Sequence, residues 1–127
     1  MNNTAYAAYT QTSIGGIESP TKLIGMLYDG ILRFIYRTKK AMSEGDVEKK
    51  VYYINRTNAI FMELLNSLDY SAGDVAHYLA GIYTRQIQLL TAANVRNDIQ
   101  SLDEVVNVVR QLSEAWRDVT DEGEGEL

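Results

Sequence analysis

The chain has 127 residues, one proline, no cysteine and a formal net charge of -5, with nine tyrosines against two phenylalanines and one tryptophan. That length supports one domain with an ordinary core, and the absence of cysteine excludes disulfides, thiolate metal sites and thiol catalysis. Four of the seventeen acids follow Thr120, so residues 1–120 carry thirteen acids against twelve bases and lack the basic field that nucleic-acid binding requires.

Residues 1–18 hold few large apolar groups besides Tyr6, Tyr9, Ile14 and Ile17, and Gly15-Gly16 breaks any helix that begins near Thr4. They read as a mobile N-terminal arm with one or two helical turns. The N-terminus lacks the basic start and apolar core of a secretory signal, and no stretch reaches the about 18 apolar residues of a membrane span. A cytoplasmic protein without membrane insertion is expected.

Ser19-Pro20 has the arrangement of an N-cap followed by proline at the first helical position. From there apolar side chains step by three and four along Leu23, Leu27, Ile31, Phe34, Thr38 and Ala41, flanked by Ile24, Tyr28, Leu32, Ile35 and Met42, to a glycine stop at Gly45. Asp46 supplies the next cap, and Val47, Val51, Ile54, Asn58, Phe61, Leu65 and Leu68 form a bundle seam on a second helix. A third helix begins near Ser71 or Asp74 and carries Val75, Leu79, Ile82, Gln86, Leu89, Leu90 and Ala93. A fourth begins near Asp98 and carries Leu102, Val105, Val109, Leu112, Trp116 and Val119. The expected fold is all-α, an antiparallel up-down four-helix bundle over residues 19–120. The glycine-acid segment 121–127 has nothing to bury and reads as a disordered acidic tail.

These stripes are wider than the roughly 100° a bundle helix needs to reach its core. The excess either thickens the core, mediates self-association or forms a groove for an amphipathic segment of a partner. Tyrosine, with an apolar ring and a hydroxyl that needs a polar partner, suits the margins of such a groove, and Tyr28, Tyr36, Tyr52, Tyr53, Tyr78 and Tyr83 fall on or beside the stripe margins. Gly30 lies on the apolar side of the first helix and permits close backbone approach. Asn58 interrupts the second seam, where an amide fixes register or meets a partner backbone.

Enzyme readings lose. His77 faces away from the core, and Asp74 with His77 supplies one outward-pointing pair where a di-iron bundle needs two such motifs and further inward carboxylates. No glycine-rich phosphate loop occurs. The six bases between Arg33 and Lys50 read as a solvated face.

The segment Ser19-Pro20-Thr21-Lys22-Leu23-Ile24-Gly25-Met26-Leu27-Tyr28-Asp29-Gly30 resembles the signature of the flagellar secretion chaperone FliS family. Tyr6 with Tyr9-Thr10-Gln11, Ile60 with Glu63-Leu64 and Ser67-Leu68-Asp69, Leu79 with Ile82-Tyr83, Leu89-Leu90 and Ala93-Asn94, and Ala115-Trp116 resemble further family motifs in the same order. The resemblance implies a cytosolic chaperone, not an enzyme and with no cofactor or metal. Such a chaperone binds the C-terminal segment of flagellin, prevents its premature polymerisation and delivers it to the flagellar type III export apparatus. The expected flagellin-binding residues are Tyr6, Tyr9, Leu27, Tyr28, Gly30, Ile31 and Tyr83. The expected partners are flagellin and a component of the export gate, while a co-chaperone and a weak homodimer stay open. The arm bearing Tyr6 and Tyr9 is expected to lie over the groove in the free protein and to shift when flagellin binds. The competing reading is a helical-bundle adaptor or regulator that binds another amphipathic helix or itself.

Overall fold

The computed structural model describes residues 20–125, with side chains over 21–120. Four helices account for most of them: α1 (Pro20–Ser43), α2 (Val47–Asn66), α3 (Asp74–Arg96) and α4 (Ile99–Gly125), with a single 3-10 turn, Tyr70–Ala72, between α2 and α3. The arm 1–18, its tyrosines and the Ser19 cap lie outside the described residues, as do 126 and 127.

Local chemistry sets the helix ends. α1 starts at Pro20, whose missing N–H costs nothing in the first turn. It stops at Gly45, which takes the left-handed φ of 69°. There the Gly45 N–H donates to Met42 O (3.2 Å) and the Asp46 N–H to Ala41 O (2.9 Å), the paired bonds that close a helix on glycine. Asp46 then opens α2, its carboxylate accepting from the Lys49 N–H at 3.1 Å. Asp69 caps the 3-10 turn through the Ser71 N–H, and Gly73, at φ 103°, occupies the N-cap position of α3. Asp74, one of the two expected starts, is the first residue of that helix. α3 closes on the left-handed Asn97, and Asp98 accepts from Ser101 N–H and Oγ at the start of α4.

α4 continues through Gly125, past Asp121, where the tail was expected to begin. Extending an existing helix adds one hydrogen bond per residue without a new nucleus, so its backbone needs no buried side chain to go on.

α1 packs against α2 and α4, and α3 packs against the same two, so the helices stand at the corners of a square. The core line of α1 shares Ile31, Thr38 and Ala41 with the expected one but takes Ile24, Tyr28 and Ile35 in place of Leu23, Leu27 and Phe34. On α2 the buried line is Lys50, Ile54, Thr57, Phe61 and Leu64. Val47, expected on the seam, is 65% exposed, and Val51, Asn58 and Leu65 are half-buried at its edge. On α3, Ala76 and Tyr83 join Leu79, Gln86, Leu90 and Ala93 inside, while Val75, Ile82 and Leu89 are half-buried. On α4, Leu102, Val105, Val109 and Trp116 are buried as expected, with Ser101 and Ser113 added and Leu112 and Val119 left half-buried.

Buried hydroxyls and amides explain part of this rotation. Thr38 Oγ1 donates to Phe34 O and Thr57 Oγ1 to Tyr53 O, both at 2.8 Å, and Gln86 Nε2 donates to Ile82 O at 3.0 Å. A threonine bonded to the preceding turn satisfies itself within its own helix and can face the core at little cost, whereas Gln86 keeps its Oε1 buried with no partner among the described residues.

Three longer-range contacts tie the square together. Lys50, only 7% exposed, reaches the end of α3, where its ammonium donates to Asn94 O (3.0 Å) and Asn97 Oδ1 (2.9 Å). Lys39 pairs with Asp103 between the end of α1 and the start of α4. Trp116 Nε1–H donates to Thr21 O at 2.8 Å, and the Trp116 ring lies against Gly25, where an added Cβ would sit 3.7 Å from Cδ1. That is ordinary van der Waals contact, so an alanine at Gly25 would pack on the Trp116 ring without a clash. Gly81 has nothing within 4 Å of an added Cβ, and its exchange for alanine meets no steric bar.

Candidate functional site

α1 carries more apolar surface than its core line uses, and the surplus lies on the side toward α2. Leu23, Leu27 and Phe34, left outside the core line, form one wall of a groove with Met26. Ala59 and Ile60 of α2 form the other wall. The depression has a volume of about 340 Å³. It is large enough for the apolar side chains of one helix face but not for the helix itself, which would lie along its mouth.

Gly30 sets the floor. A Cβ there would come within 3.2 Å of Ile60 Cδ1, so the missing side chain lets α1 and α2 close beneath the groove. At one end Phe34 stacks on Tyr53 (centroids 5.9 Å apart, 27° between planes). Arg56 lies over the Phe34 ring at 5.6 Å and Arg37 over the Tyr53 ring at 5.8 Å. Arg33 reaches back toward Gly30. Glu63, about one turn beyond Ile60 on α2, lines the groove toward its other end, where α1 supplies Leu23 and Met26.

The charges on the rim have no ionic partner among the described residues. Among the described residues the ion pairs are Lys39 with Asp103, Lys49 with Asp46 and Arg85 with Glu104. Arg33, Arg56 and Glu63 belong to none of them.

The structure separates the expected binding residues into two groups. Leu27 and Gly30 line the groove. Ile31, Tyr28 and Tyr83 belong to the core, at 0%, 2% and 0% exposed, where the two tyrosine hydroxyls meet at 2.6 Å. The placement of Tyr28 and Tyr83 at stripe margins is therefore corrected, because phenols whose hydroxyls bond one another can be buried. Tyr36, Tyr52 and Tyr78 are exposed and Tyr53 is half-buried. Tyr6 and Tyr9 lie outside the described residues. Sequence reasoning missed Arg33, part of a charge run that looks the same whether or not it borders an apolar face, and Arg56, a lone base beyond that run. Ile60, on the flank of the α2 seam, and Leu23 and Phe34, on the stripe of α1, carried the readable signal.

His77 is exposed and its ring lies 5.0 Å from that of Tyr70. Among the described residues no three His, Asp or Glu side chains converge as a metal ion would require, and no helix is long and apolar enough to cross a membrane.

An apolar groove between two helices has the general form that helix-in-groove recognition uses. The family model described as flagellar protein FliS matches residues 1–123, and the chain belongs to that family. It is 57% identical over 120 residues to the flagellar secretion chaperone FliS of Campylobacter jejuni, covering 94% of this chain and 93% of that one. The protein of the same name from Salmonella typhimurium is 33% identical, with 89% of this chain and 87% of that one covered. The Bacillus subtilis protein is 30% identical, with 88% and 83% covered.

Proposed function

We propose that this protein is a cytoplasmic export chaperone that takes the C-terminal segment of flagellin into the α1–α2 groove, keeps it from polymerising and passes it to a component of the flagellar export gate. The observation that carries the proposal is the groove itself: apolar walls with a glycine floor, in a chain whose relatives are named flagellar secretion chaperones. A client that is amphipathic and unfolded until assembly can pay its ordering cost on such a surface and still be released. The role is one of binding rather than catalysis.

The helices run alternately up and down in this reading. Support comes from Thr21 at the start of α1 meeting Trp116 late in α4, from Lys39 late in α1 meeting Asp103 early in α4, and from Lys50 at the start of α2 meeting Asn94 and Asn97 at the end of α3. The arm bearing Tyr6 and Tyr9 lies over the groove in the free protein and moves aside for the client. Support comes from α1 itself, which begins at Pro20, about one turn before Leu23 of the groove.

The test is titration of the full chain with a synthetic peptide of flagellin's C-terminal segment, following affinity and the gain in helicity by circular dichroism. Gly30→Leu should weaken binding at least tenfold by filling the floor. Ala59→Glu, at an exposed position on the wall, should do the same without touching the core. Tyr6→Ala with Tyr9→Ala should change affinity and leave the bundle's melting unaltered. Tight binding of the peptide to both groove variants would remove the groove from the mechanism.

A further inference from the structure

The α1–α2 groove differs in charge from one end to the other, and that asymmetry has a consequence for whatever lies in it. From Leu23 to Phe34 the groove runs along α1 for about 16 Å, roughly three turns of a helix. Glu63 stands at the Leu23 end; Arg33 and Arg56 stand at the Phe34 end. None of the three has an ionic partner among the described residues. The arginine end is also bounded, since Phe34 stacks on Tyr53 there.

We infer that the groove fixes the direction of its occupant: a helical peptide segment lies with its C-terminal end, free α-carboxylate included, between Arg33 and Arg56, and with its N-terminal end toward Glu63. This deepens the proposal that flagellin's C-terminal segment docks in this groove, and rests on it. A helix carries about half a positive charge at its N-terminus and half a negative charge at its C-terminus, and the terminal carboxylate adds a full unit to the negative end. In the inferred direction each end of the occupant faces a rim charge of opposite sign. Reversed, its positive end would face two guanidiniums and its carboxylate would face Glu63.

The chemistry of the arginine end suits a carboxylate in particular. A guanidinium presents a planar fork of donors that matches two carboxylate oxygens. Arg56 is held over the Phe34 ring, so it gives up less freedom on binding than a lysine in open solvent. The stacked rings of Phe34 and Tyr53 close the path beyond, which favours a chain end over a chain that passes through.

The experiment compares the flagellin C-terminal peptide as free acid and as C-terminal amide, binding to the full chain at low and at high salt. The expected result is about fivefold weaker binding of the amide at low salt, a gap that narrows as salt screens the exposed pair. In the double variant Arg33→Gln with Arg56→Gln, acid and amide should bind alike, with the circular dichroism of the free bundle unchanged. Direction is read separately. The protein has no cysteine, so Asn66→Cys, one turn beyond Glu63 and outside the groove, takes a single nitroxide label. That label should quench a fluorophore at the peptide's N-terminus more than one near its C-terminus. Equal binding of acid and amide overturns the inference and leaves the docking site standing, as does quenching of the opposite sense. So does loss of affinity only when an acidic side chain of the peptide is neutralised. If Ala59→Glu leaves peptide binding intact, the groove is not the site and the inference falls with it.

Discussion

Tyr28 and Tyr83 meet across a diagonal of the bundle. α1 and α3 do not pack on each other directly, and with neighbouring axes about 10 Å apart the diagonal is about 14 Å, more than aliphatic side chains fill. Two phenols span it tip to tip, with oxygens 2.6 Å apart, and the ring of Tyr83 lies 6.1 Å from that of Phe61. Composition pointed the other way, because a tyrosine excess is ordinarily read as surface or margin; the sequence does not reveal that two of the nine bond one another. Replacing Tyr83 with Phe should cost about 1 kcal/mol, since Tyr28 then loses one buried partner. The reciprocal Tyr28→Phe should cost a similar amount, and the double variant less than the sum, because the second change removes a hydroxyl already deprived of that bond. Urea melts of the four proteins measure the coupling, and strict additivity would show that the pair contributes nothing as a pair.

Helix ends were legible where single residues decide them, and helix faces only in part. Pro20, Gly45, Asp46 and Asp98 each act through backbone geometry or one or two local hydrogen bonds, which a sequence position states directly. Faces are settled by competition. On α1 both Leu23-Leu27-Phe34 and Ile24-Tyr28-Ile35 are apolar, and the choice between core and groove depends on what α2 and α4 present. On α2 the winning line contains Lys50 and Thr57, which no apolar count would choose. Lys50 earns its place by acting on another element. Its ammonium caps α3, meeting the carbonyl of Asn94 and the side chain of the left-handed Asn97, where a helix end carries partial negative charge. Lys50→Met keeps the stem's packing and removes the donor. It should destabilise the protein by about 2 kcal/mol, the scale of hydrogen bonds from a charged group, and hydrogen exchange should quicken first in the last turn of α3. Uniform acceleration across all four helices would mean that the lysine stabilises the bundle generally and not that end.

At the scale of the molecule, one core is shared by all four helices while the groove sits wholly on the surface of two. Binding there need not open the bundle, and this makes a prediction about linkage. Trp116, the single tryptophan, joins α4 to the first turn of α1 close to the groove's Leu23 end. Its fluorescence reports the α1–α4 clasp, whereas far-UV circular dichroism reports all the helices. With a common core the two signals should trace one urea transition. A peptide that binds the folded groove and not the unfolded chain should raise stability by about 2.7 kcal/mol at one hundred times its dissociation constant. Both signals should move by that same amount, because the ligand stabilises the folded state as a unit. Should fluorescence fall before ellipticity, in the free protein or with peptide present, the α1–α4 clasp opens on its own, and client release would then be coupled to partial opening of the bundle instead of to simple dissociation from a rigid surface.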